Sequence, residues 1–146
     1  VKRERREVNI KLWEFANKID RINIAIKNRD FSITQAHDPL MEVGVDGMPH
    51  AKGRVSDTTF AAVMLIERYQ DEKVELIQQR DFVKAEFEAY IDSLTITEKD
   101  VVRLRYLGDD RAKTYSAKRI GDKLGYVEDY VKQLIARAQD KIFTKI

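Results

Sequence analysis

Glu128, Asp129, Tyr130, Lys132, Gln133 and Arg137 lie close together near the C-terminal end, among the apolar residues Val131, Leu134, Ile135, Ala138 and Ile142 at helical spacing. On a helix the polar members project away from the apolar stripe. Their side chains suit the edges of bases in a DNA major groove: Lys or Arg on guanine, Gln on adenine, a carboxylate accepting from cytosine. All six are base-reading candidates, and the sequence leaves open which of them touches a base. Arg111, Lys113, Tyr115, Ser116, Lys118 and Arg119, slightly upstream, are candidates for contacts to phosphate. Such contacts give salt-dependent affinity and carry no sequence information.

Other chemistry has little material. The chain has no cysteine, which excludes a disulfide framework, thiolate zinc sites, iron–sulfur clusters and a thiol nucleophile, and fits a reducing compartment. His37 and His50 lack helical spacing and companion ligands, so no metal site is expected. There is no nucleophile with a base, no phosphate-cradling glycine loop and no recognisable acid pair; neither an enzyme nor a cofactor is expected. No apolar run approaches the roughly 20 residues that cross a bilayer. The charged start from Val1 to Glu7 is unlike a signal sequence, and Val1 itself points to a start further upstream. A soluble, cytoplasmic protein without membrane contact is the expectation.

The 146 residues are 43% hydrophobic and 36% charged, with six glycines and two prolines, a composition that favours an all-α fold with solvated helices. Val8, Leu12, Phe15, Ile19, Ile22 and Ile26 form one apolar stripe and predict a helix from about Arg5 to Asn28. The stripe suits packing within the chain, which is preferred, or a homodimer seam. From Asp30 to Val55 the periodicity fails and Pro39, Gly44, Gly47, Pro49 and Gly53 intervene, so a long loop is expected. A second helix is predicted from about Thr58 to Ser93, with a break or a change of packing partners at Gln78 to Asp81. Antiparallel pairing of the two helices would bury both stripes. The expected organisation is a helical hairpin or stalk over 1–94 and a second domain over 95–146.

In that second domain Thr97 and Glu98 resemble a capping-box start, Val101, Val102, Leu104 and Leu107 supply a buried face, and Gly108 ends the helix. After the polar segment 109–114, Ser116 caps a short helix with Ile120 and Leu124 inward, and Gly125 closes it. The small Ala117 and Gly121 permit close helix approach. A turn of about three residues then leads to the last helix, near Glu128 or Asp129. This is a helix-turn-helix pattern. Charge agrees in sign: residues 1–94 carry net −2 and residues 95–146 net +4.

The segment Leu94 to Ile142, with EKDVVRLRY at Glu98 to Tyr106 and YSAKRIGDKLG at Tyr115 to Gly125, resembles the fourth region of bacterial sigma factors. That resemblance implies a module that reads the upstream promoter element. The preceding stretch, with Asp46-Gly47-Met48-Pro49-His50 and Ser56-Asp57-Thr58-Thr59 before a long helix, is similar to Gram-positive phage regulators of the RinA and ArpU type. Together they imply a sequence-specific, double-stranded-DNA-binding activator of phage or prophage late packaging and structural genes, acting with host RNA polymerase. Two other readings compete: a DNA-binding small subunit of the packaging machinery, resembling a small terminase, and an adaptor that grips polymerase without DNA.

Overall fold

The computed structural model describes residues 2–45, 57–108 and 115–145; the side chains of 38–45, 57 and 145 are outside that description. Its elements are α1 (Lys2–Val45), α2 (Asp57–Tyr90), α3 (Ile96–Tyr106), α4 (Ala117–Leu124) and α5 (Glu128–Lys145). The described residues are all-α, as expected.

Helix α1 continues well past Asn28, which corrects the loop expected from Asp30; of that loop, residues 46–55 lie outside the described residues. Polar contacts accompany α1 where the apolar stripe fades. The Ser32 and Thr34 hydroxyls donate to the carbonyls of Asn28 and Asp30, one helical turn back. Arg29 pairs with Glu72 at 2.6 Å and Lys73 with Asp30 at 2.6 Å. Apolar periodicity does not register ion pairs such as those at Arg29 and Asp30. Of the two outcomes expected at Gln78 to Asp81, the change of packing partners holds: α2 runs unbroken to Tyr90, and the boundary between compact units falls after Asp81.

Two compact units divide the chain: Val1–Asp20 with Phe82–Ile146, and Arg21–Asp81. The second is a pair of antiparallel helical segments, joined by the ion pairs above and by Arg80 donating to Asn23 at 3.3 Å. Ile26 and Ile66 are buried there, whereas Val63 and Val74 are exposed.

The first unit takes members from both sides of the boundary expected at residue 94. One of its cores joins Val8, Leu12 and Phe15 of α1, Phe87 of α2, Ile91 and Leu94 of the turn, Val102 and Tyr106 of α3, and Ala138 and Ile142 of α5. A second joins Val101, Tyr115, Ile120, Val131 and Leu134. The neighbours Val101 and Val102 therefore point α3 into both cores. Helix α5 uses its first half in the second core and its later turns in the first. The family of contacts that steadies α5 thus includes the first turns of α1.

Polar bonds fix the same register. The capping residue of α3 is Thr95, two residues before the expected Thr97: its hydroxyl accepts from the Glu98 backbone N–H, and its own N–H donates to the Glu98 carboxylate. The correct spacing is Thr95-Ile96-Thr97-Glu98. Arg103 donates two bonds, 2.7 and 2.6 Å, to Glu88 of α2. Glu98 is buried and pairs with Lys141 of α5. Burial pushes its carboxyl up, but the bonds from Lys141 and Thr95 outweigh that and hold it below the usual range. The ionised form is therefore the one that stabilises the fold. Its contribution is complete above the unfolded glutamate value of about 4.3 and is lost as pH falls through the lower folded value. Glu98→Gln is expected to cost about 1.5–3 kcal/mol at pH 7, the worth of hydrogen bonds to a charged group. Thermal melts should show that gap from the parent closing below about pH 4; a gap independent of pH would refute the assignment.

Candidate nucleic-acid interface

The platform begins with two caps. The Ser116 hydroxyl accepts from the Arg119 backbone N–H, starting α4, and Gly125 ends it with φ 81°. Gly125 and Tyr126 both donate to the Gly121 carbonyl at 2.8 Å, folding the chain back over the end of α4. A side chain at Gly121 would collide with the Tyr126 carbonyl. Gly121 is thus small to admit the turn's backbone, rather than to let two helices cross. Val127 then accepts from the Val131 N–H at 3.1 Å, opening α5.

With Val131, Leu134, Ala138 and Ile142 buried, Glu128, Asp129, Tyr130, Lys132, Gln133 and Arg137 are all exposed. Each of the six base-reading candidates stands on the outer side of α5. Tyr130 meets Tyr126 edge to face at 5.2 Å, and the adjacent Val127 is 72% exposed. This apolar corner at the start of α5 suits thymine methyl groups. Lys132 pairs with Glu128 at 3.4 Å. Glu128 and Asp129 occupy the first turn, where the helix dipole favours carboxylates, giving the acidic pair a structural reason.

The phosphate candidates separate. Lys118 and Arg119 are exposed on α4, and Ser116 is exposed while serving as its cap. Tyr115 is corrected: its ring is buried in the second core, with Arg119 and Lys123 over its faces at 4.8 and 5.1 Å. An aromatic ring so placed is a packing residue that orients two cations. Arg111 and Lys113 lie outside the described residues, as does His50. Trp13 is a packing residue too, meeting Tyr106 edge to face at 4.8 Å beneath Arg105.

One cationic group escaped the sequence reading. Lys2, Arg5 and Arg6 of α1 border the same cleft as Arg105, Ser116 and Lys132, an opening of about 570 Å³. The run KRERR at Lys2 to Arg6 was its sole trace in the sequence, and nothing local places it beside residues a hundred positions away.

Residues 90–143 match the family model described as Sigma-70, region 4. The C-terminal part is therefore a sigma-like helix-turn-helix domain of the DNA-binding, transcription-regulating kind, and the match spans α3, α4 and most of α5. No curated protein and no solved structure matches the chain. No described helix is long and apolar enough to cross a membrane.

Proposed function

We propose that the protein is a sequence-specific activator of phage or prophage late genes, binding promoter DNA through α5 and acting with host RNA polymerase. The observation that carries the reading is the outer face of α5: six polar side chains exposed together on a helix whose opposite face is fully committed to two cores. The sigma-like match supports DNA and polymerase as partners, and the likeness of the segment before α2 to RinA and ArpU regulators supports the phage setting. The role is one of binding, with no catalytic step. A homodimer through the helical N-terminal part belongs to the same proposal.

Replacing Lys132 and Arg137 by alanine tests it. Each base contact is worth about 1–3 kcal/mol, so the double variant should bind its operator at least about 30-fold more weakly at matched salt. Unchanged binding in fluorescence anisotropy would overturn the recognition surface. Chromatin pull-down in the native host should place the protein at a late promoter. A closed ring of many subunits in native mass spectrometry would transfer the reading to a packaging subunit.

A further inference from the structure

We infer that the first two turns of α1 form a second DNA contact, a phosphate-binding wall beside the recognition helix and outside the sigma-like segment. The inference rests on α5 being the groove-facing helix.

Four observations place it. First, the start of α1 is locked to the helix-turn-helix: Arg5 donates two bonds, 2.8 and 2.9 Å, to Asp140 of α5. Tyr106 of α3 donates to Asn9, and Gln139 of α5 donates to the Tyr106 hydroxyl at 3.1 Å. Second, the cleft so framed is cationic. Glu128 is the one carboxylate among its lining residues, set against Lys2, Arg5, Arg6, Arg105 and Lys132. Third, Lys2 and Arg6 are exposed and have no ion pair among the described residues, so their charge is available. Fourth, Glu128 and Lys132 belong both to the cleft wall and to the edge of the base-reading face. A duplex seated on α5 therefore carries its sugar–phosphate strand across the mouth of the cleft.

The ligand chemistry follows from these groups. Flexible cations at a helix start, an Asn9 amide and the first turn of α4 at Ser116 and Ala117 all favour an anion with several oxygens. None of the α1 groups is a base-reading candidate. The wall supplies affinity and fixes the approach of α5, while α5 selects sequence.

The test compares the full-length parent, Lys2→Gln/Arg6→Gln and the Lys132→Ala/Arg137→Ala variant by fluorescence anisotropy. The probes are a mixed-sequence duplex of about 30 base pairs and a duplex of that length recovered by in vitro selection with the parent. Removing two phosphate contacts should lower the slope of log affinity against log salt by about 2 and weaken both duplexes about 10–100-fold at 0.1 M salt. The ratio between the duplexes should not change, and both substituted residues are exposed, so melting should match the parent. An unaltered salt slope overturns the inference, while loss of binding in the α5 variant alone leaves the DNA-binding reading intact. A parent that binds neither duplex removes that reading itself. Lost transcription activation with parental DNA binding also overturns the inference, assigning the cleft to an acidic protein segment.

Discussion

Leu12→Ala, in the third turn of α1, is expected to destabilise the sigma-like domain by about 2–5 kcal/mol, although Leu12 is far from that domain in sequence. Leu12 is 0% exposed and shares a core with Phe87, Ile91, Val102, Tyr106, Ala138 and Ile142. Truncation removes buried methyl groups and leaves a void between helices tied by Arg103–Glu88 and Arg5–Asp140, which limits collapse. For a unit of this size, each kcal/mol moves Tm by about 4–8 °C, so a fall of at least about 8 °C is expected by circular dichroism. Ile24→Ala, at a side chain 51% exposed, is the control and should stay within about 0.5 kcal/mol of the parent. DNA binding should fail at the temperature where the Leu12 variant unfolds. Equal Tm values for the two variants would show that α1 is a separate stalk rather than part of the domain's core.

That result would also explain what the sequence could disclose. The stripe from Val8 to Ile26, the Ser116 cap and the Gly125 stop are local patterns, decided by residues within one or two turns, and all were legible. Tyr106 and Glu98 were not. Their burial depends on Asn9 and Gln139 for the tyrosine hydroxyl, and on Lys141 for the carboxylate. No short window contains those pairs. The extension of α1 to Val45 was hidden because the apolar period fails beyond Asn28, and the ion pairs at Arg29 and Asp30 leave no such period. Within the interface, the exposed face of α5 followed from one helical repeat. The burial of Tyr115 and the cationic wall of Lys2 and Arg6 required the tertiary arrangement.

The two glycines of α4 and its turn should respond differently to alanine, because different physics selects them. At Gly125 a Cβ meets nothing within 4 Å, and the φ of 81° supplies the strain. A left-handed residue with a side chain costs about 1–2 kcal/mol, so Gly125→Ala should fold with the turn in place and bind DNA as the parent does. At Gly121 the new Cβ would strike the Tyr126 backbone carbonyl. A carbonyl cannot rotate aside like a side chain, and this turn is held by Gly125 and Tyr126 donating to the Gly121 oxygen. Overpacking of that kind costs about 1–3 kcal/mol or more, and the improved helix propensity of alanine returns about 1 kcal/mol. The larger consequence is geometric: Tyr126 and Val127 set where α5 begins, so relief of the collision displaces Glu128 to Gln133 relative to α4. Gly121→Ala should therefore lose operator affinity by about 10-fold or more even where it remains folded, since each displaced base contact is worth about 1–3 kcal/mol. Anisotropy titrations beside thermal melts separate the two effects. If Gly125→Ala abolished binding while Gly121→Ala left it untouched, the turn would not be the element that aims the recognition helix.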